Sequence, residues 1–249
     1  MMATKIAWAN ETWSPVIGCT KIAAGCKNCY AERMATRLAT MPLQSYYRHV
    51  VQNGKWNGDV YCMKNRLSKP LHWRKPRKIF VCSMSDLFHE KVPFEFIDRV
   101  FSTMARCPQH QFQILTKRFV RAVEYFEYAK LDPITDHITV LFSVATQEEL
   151  WVAEGWLWQI PAAVRGFSLE PLLGPIQELP PFEWYIVGCE SGPKRRHCEP
   201  EWVQDIVRQC REANVPVFVK QIDSCGTVLK LTDANKDQWP DWAVQEYPI

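Results

Sequence analysis

Three cysteines lie within eleven residues of the stretch Gly18-Cys19-Thr20-Lys21-Ile22-Ala23-Ala24-Gly25-Cys26-Lys27-Asn28-Cys29-Tyr30, spaced C-x6-C-x2-C. Free thiols packed this closely oxidise or bind metal, so the set asks for a chemical role. Three thiolates are one short of the four ligands that close a structural zinc site. An iron–sulfur cluster held by three cysteines leaves one iron open to a further ligand, and the spacing favours that chemistry. The alternative is zinc, with Cys62, Cys82 or a histidine as the fourth ligand.

The bulk properties limit the setting of this chemistry. At 249 residues the chain can bury a full core. Its 30 basic and 27 acidic residues leave a formal charge of +3, which permits nucleic-acid binding without arguing for it. There is no N-terminal apolar region of signal type and no run of eighteen apolar residues. The expectation is therefore a cytoplasmic protein without a membrane span, in which clustered cysteines are metal-binding or catalytic. The other seven cysteines are scattered singly and read mostly as buried small hydrophobes. Several of the eleven tryptophans are core, and a few are expected to wall a pocket.

The elements that must position the cysteines follow from periodicity. Residues 5–14 read as a first strand ended by Pro15, and a helix is expected from Lys27, with Cys29 in its first turn and Tyr30, Met34 and Leu38 on its apolar face with Ala31 and Ala35 beside them. Residues 41–78, basic and aromatic with breakers at Pro70 and Pro76, read as an insertion within one domain spanning 1–249. Short apolar runs at 78–82, 111–115, 137–144, 163–171, 184–192 and 215–221 then alternate with helical stretches. Fully apolar strands separated by helices indicate a parallel sheet covered by helices, and about seven units suggest a (β/α) barrel or partial barrel. No G-x-G-x-x-G follows the first strand, which argues against a dinucleotide fold. Polar residues gather where each run ends: Ser83, Ser85 and Asp86, then Thr116 and Lys117, then Ser143, Glu170, Glu190 and Lys220. Parallel barrels assemble their active sites at those ends.

The motifs Trp13-Ser14-Pro15-Val16-Ile17-Gly18-Cys19-Thr20 and Gly25-Cys26-Lys27-Asn28-Cys29-Tyr30-Ala31-Glu32-Arg33 resemble an uncharacterised phage and prophage family with a three-cysteine motif. The resemblance continues through Val81–Phe88, Leu115–Arg118, Leu169–Pro175 and Gly188–Gly192, and so covers nearly the whole chain. That family is related to radical S-adenosylmethionine (SAM) enzymes, whose usual spacing is C-x3-C-x2-C. The present loop keeps the C-x2-C half and lengthens the first interval.

The resemblance implies a [4Fe–4S] cluster on Cys19, Cys26 and Cys29, with SAM at the open iron and cleavage of SAM to a 5′-deoxyadenosyl radical. It implies a barrel or partial barrel of the radical SAM type, and a reductant such as flavodoxin or ferredoxin. Ser83, Ser85 and Asp86 would face the SAM amino group, with a turn or helix cap as the plainer role for Asp86. Lys117 and Arg118 would pair with its carboxylate, or else carry solvated charge at a helix start. Thr116 and Ser143 complete the expected cofactor wall. Glu170, Glu190 and Lys220 are the expected catalytic groups, against buried pairing of the glutamates with a residue such as Arg165. His197 and the basic run before it read as a solvated loop. The substrate is a small molecule or nucleic acid, a nucleotide or base being preferred. Rival readings are a non-catalytic zinc or iron–sulfur protein that recognises nucleic acid or a partner, and a cluster whose open iron acts as a Lewis acid.

Overall fold

The computed structural model describes residues 6–131 and 134–248. Seven apolar runs form parallel strands: β1 (Glu11–Trp13), β2 (Lys78–Val81), β3 (Gln111–Thr116), β4 (Ile134–Val144), β5 (Ala162–Leu169), β6 (Trp184–Gly188) and β7 (Val217–Ser224). An eighth strand, β8 (Thr227–Lys230), returns antiparallel to β7 through the turn at Cys225 and Gly226. The strands stand in chain order with β1 and β8 at the edges, so the sheet curls as a half-barrel. Five helices accompany it: α1 (Tyr30–Ala39), α2 (Phe94–Ala105), α3 (Phe119–Ala129), α4 (Gln147–Leu157) and α5 (Pro200–Glu212).

Side chains along each strand alternate between two faces. Ile79, Val81, Phe112, Ile114, Phe142, Val187 and Val219 pack with the helices in the main core. Phe80, Leu141, Trp184, Ile186 and Phe218 face the other way and pack with Trp8, Ala9 and Tyr247, so the two ends of the chain plug the foot of the curl. Two residues further along several strands this inner face turns polar: Leu115 is followed by Lys117, Leu141 by Ser143, and Phe218 by Lys220. The same two-residue step that fills the foot of the half-barrel therefore opens a polar hollow at its top.

Several local expectations change. The first strand is confined to Glu11–Trp13; Ile6–Asn10 form turns, and Lys5 lies outside the described residues. The first helix starts at Tyr30, not Lys27, with a 3-10 turn at Ala24–Cys26 before it, so Cys29 is the N-cap and not part of the first turn. Its buried face is Ala31, Ala35 and Ala39, whereas Tyr30 and Met34 are 42% and 36% exposed. The alanines pack against Ile17, Tyr47 and Val50. Small side chains let the helix approach that layer closely, a fit the longer row could not make. Residues 41–78 fold as 3-10 turns with two short antiparallel pairs, Val16–Ile17 with Tyr61–Cys62 and Val51–Gln52 with Lys55–Trp56. Among the described residues no helix is long and apolar enough to cross a membrane.

Candidate functional site

A cavity of about 380 Å³ opens at the C-terminal ends of the strands. Cys19, Cys26 and Cys29 border it, and so does every other residue singled out at a strand end: Ser83, Ser85 and Asp86 after β2, Thr116 and Lys117 at β3, Ser143 in β4, Glu170 after β5, Glu190 after β6 and Lys220 in β7. Six strands and the cysteine loop thus contribute to one hollow.

The cysteine loop is held in place from several sides. Gly18, with φ +88°, takes a conformation that L side chains avoid, and a Cβ there would sit 2.1 Å from the Asp59 carbonyl oxygen. The Gly18→Ala variant is expected to lose about 1–3 kcal/mol of stability, read from the urea midpoint. Gly25 lets the Lys117 ammonium lie 3.3 Å from where a Cβ would stand. Ser85 Oγ donates to the Val16 carbonyl at 2.8 Å, and Tyr30 OH to the Ser83 carbonyl at 2.6 Å. Arg118 donates to Thr20 Oγ1 at 2.7 Å and to its carbonyl at 3.3 Å, with Nη1 3.9 Å from Cys19 Sγ.

Beneath the loop lies a buried polar knot. Asp86 accepts from Thr116 Oγ1 at 2.8 and 3.0 Å, from the Lys117 N–H at 3.1 Å, from the Phe88 N–H at 3.0 Å and from Arg118 at 3.4 Å. Both carboxylate oxygens are therefore engaged within the protein. Arg118, which the sequence suggested for a ligand carboxylate, donates its Nε–H to both Glu90 carboxylate oxygens at 3.0 Å and braces the cysteine loop. Lys117 Nζ donates to Ser143 Oγ at 2.6 Å and to the Ser143 carbonyl at 3.3 Å. Burial lowers its pKa, with the Cys26 thiol as the chief influence in the other direction.

Glu170 and Glu190 find partners the sequence did not supply. Lys220 Nζ lies 2.8 Å from Glu170 Oε1, and Ser168 Oγ donates to Glu170 Oε2 at 3.4 Å. Arg165 pairs with Glu183 at 3.1 Å and with neither site glutamate. Glu190 is forked by Arg196, at 2.5 and 3.1 Å, and accepts from Asn28 Nδ2 at 2.8 Å. Asn28 also donates to the Lys194 carbonyl at 2.7 Å, and Arg196 to the Ala24 carbonyl at 2.9 Å. The loop after β6 is thereby latched onto the cysteine loop, and Glu190 is a positioning residue there. Burial would raise its pKa, but Arg196 and Asn28 hold it below the usual carboxylate range. The latch is thus intact above that range and released as pH falls through the depressed value. Glu190→Gln is expected to speed iodoacetamide labelling of Cys26 and Cys29 in the apo protein at neutral pH, while Cys62 labels as before.

Asn28, Arg196 and Thr20 were not singled out by sequence reasoning. Asn28 sits inside the C-x2-C interval and Arg196 inside the basic run 194–197, the two signals that pointed toward them. His197 is exposed and pairs with Glu199 at 2.8 Å, as a loop residue should. Of the scattered cysteines, Cys82, Cys107, Cys189, Cys198 and Cys210 are buried, Cys62 is intermediate and Cys225 exposed.

The thiols themselves are electrostatically distinctive. Burial pushes the Cys19 thiol up to about 12, with Asp86 adding to the shift and Arg118 opposing it. Burial also raises Cys29, against backbone N–H groups of Glu32 and Ala31 that favour its thiolate. A positive partner is needed to displace these protons. Among the described residues, no group of three or more His, Cys, Asp or Glu side chains is placed to hold a metal ion.

Fold and site together define an α/β protein with a curled, mostly parallel sheet and a three-thiol cavity at the strand ends. The chain belongs to the family described as "Protein of unknown function (DUF5131)", whose family model matches residues 3–241. No curated protein and no solved structure matches it.

Proposed function

We propose that this protein is a radical SAM enzyme of the cytoplasm, with a [4Fe–4S] cluster on Cys19, Cys26 and Cys29 and SAM in the cavity beside it. One observation carries the reading: residues from six strands, chosen for their chemistry, line the cavity that the three thiols border. The donor set supports it as well. A cubane takes one thiolate per iron and needs no convergence on a single atom, whereas zinc does. Cys19, Cys26 and Cys29 would hold the cluster, and the chemistry it would supply there is one-electron reduction of the SAM sulfonium, breaking a carbon–sulfur bond to give methionine and a 5′-deoxyadenosyl radical.

The remaining work belongs to the chain. Lys117, held by Ser143, sets a half-buried ammonium beside Cys26 and Cys29. Arg118 sets its guanidinium beside Cys19 and is itself fixed by Asp86 and Glu90. Ser83, Ser85 and Thr116 form the wall next to the thiols, and Asp86 orders it through the Thr116 hydroxyl and the Lys117 amide. Glu170 and Lys220 face the same hollow as a coupled acid–base pair, able to hold a proton at Lys220 Nζ or Glu170 Oε1. The half-barrel excludes water from below through its Trp8, Phe80 and Trp184 plug. A flavodoxin- or ferredoxin-type protein would supply the electron.

The test is anaerobic reconstitution with iron and sulfide, reduction by dithionite, then addition of SAM. The expected result is about four irons and four sulfides per chain, with 5′-deoxyadenosine formed or the cluster spectrum altered by SAM. Zinc bound without sulfide, or a cluster indifferent to SAM, overturns the reading.

A further inference from the structure

Charge is segregated along this chain. Residues 41–78 carry nine Lys or Arg and a single acid, Asp59, while the rest carries 21 Lys or Arg and 26 Asp or Glu. Six of the nine cations are exposed: Arg48, Lys55, Lys64, Lys69, Arg74 and Lys75. Among the described residues, Arg77 is the one member of the nine with a carboxylate partner, Glu11 at 3.3 Å. Asp59 lies 3.5 Å from Lys91, a cation from outside the segment, so the single acid has a partner of its own. Like charge left unneutralised repels itself and attracts polyanions.

The fold gives this charge a direction. Trp56 lines the cavity wall. From there the chain descends alongside β1: Tyr61–Cys62 pairs with Val16–Ile17, the Met63 N–H donates to Pro15 at 2.7 Å, and Trp13 Nε1 donates to the Arg66 carbonyl at 2.8 Å. Lys78, at the foot, donates its N–H to Asn10 Oδ1 at 2.9 Å. The cations are therefore strung from the cavity mouth to the foot of the sheet. Aromatic rings are interleaved with them. Tyr61 is exposed, 6.0 Å from the His49 ring, and Trp56 is half-buried at the cavity wall; Trp73 is buried and serves instead to seat Lys69 and Arg77, which stand 5.2 and 5.3 Å over it.

We propose that residues 41–78 are a binding track for single-stranded nucleic acid, the lysines and arginines taking phosphates and the track delivering one nucleotide to the cavity. Cations interleaved with rings are the chemistry of sequence-tolerant single-strand binding. Trp56 in the cavity wall brings the upper end of the track to the hollow, which is open to a single extruded base and not to a duplex. Binding on the track requires neither cluster nor SAM, so the inference stands or falls apart from the proposed reaction.

The test is fluorescence anisotropy of a labelled single-stranded oligonucleotide of mixed sequence, titrated with the apo protein over a series of salt concentrations. The wild type is expected to bind with an affinity that falls steeply with salt. K64Q/K69Q/R74Q/K75Q should bind about tenfold or more weakly at low salt, its log–log salt slope reduced by about 0.7 for each phosphate no longer neutralised. R99Q/R208Q/R211Q/K236Q, which removes four exposed cations elsewhere, should bind as the wild type does. If the first variant proves less stable, K64Q/K69Q and R74Q/K75Q measured separately should each account for about half of the slope change. Absence of salt-dependent binding by the wild type, an equal loss in both quadruple variants, or capture by anionic phosphatidylserine vesicles in place of the oligonucleotide overturns the proposal.

Discussion

The Cys26→Ala variant is expected to fold and yet retain no [4Fe–4S] cluster. After anaerobic reconstitution its iron should drop from about four per chain to below about one, and 5′-deoxyadenosine should not form. Cys26 ends a short 3-10 turn and is only partly buried, so losing its sulfur removes little packing. The backbone around it is kept by Gly25, by the Arg196 bond to Ala24 and by the Asn28 latch. Cys62→Ala is the matched comparison, because Cys62 was a candidate fourth ligand under the zinc reading. It pairs through its backbone with Val16 and does not border the cavity, so its variant should load like the wild type. Full iron and sulfide in Cys26→Ala, or their loss in Cys62→Ala, would show that the metal is held elsewhere.

Asp86→Ala is expected to cost about 3–5 kcal/mol of stability in the apo protein, read from urea unfolding. The carboxylate is almost wholly buried and accepts from Thr116, Phe88, Lys117 and Arg118 together. Its removal strands two backbone N–H groups and a hydroxyl, and leaves the buried Arg118 guanidinium with Glu90, itself 60% exposed, as its one carboxylate partner. Because Arg118 also grips Thr20, the loss should reach the cysteine loop and speed alkylation of Cys19. Asp86→Asn keeps one acceptor oxygen and should fall between the two. A loss below about 1 kcal/mol for Asp86→Ala would mean that the knot relaxes without it.

These effects mark the boundary between what is legible in the chain and what is not. The strand runs, the helices between them and the polar residues at the strand ends could be read directly, because each depends on a period of two or 3.6 within one segment. The switch from Leu115 to Lys117, Leu141 to Ser143 and Phe218 to Lys220 is visible in the letters, and it is what makes the hollow polar. The same reading was partly right for α1: Ala31 and Ala35 are buried and Leu38 packs beside them, whereas Tyr30 and Met34, the larger members of the expected face, are exposed. Periodicity ranks side chains by apolarity, whereas burial there was settled by how closely the 41–78 layer approaches. It also missed β8, a short strand with little apolar alternation that exists because β7 offers it an edge.

The sequence by itself determined the chemical inventory: three thiols in one loop, and an ionisable or hydroxyl group at the end of nearly every strand. Spacing and alternation are local, and local rules suffice for them. Only the tertiary structure decided the partnerships. Lys220 meets Glu170 although 50 positions separate them in the chain, because β5, β6 and β7 lie side by side and their inner faces turn polar at the same height. Arg196 and Asn28 claim Glu190 because the loop after β6 folds over the cysteine loop. Arg165, the partner weighed against a site role for the two glutamates, lies in the first half of β5 and takes Glu183 instead. Charge pairing acts over a few ångströms, and which charges come that close is a property of strand order, written in no single segment.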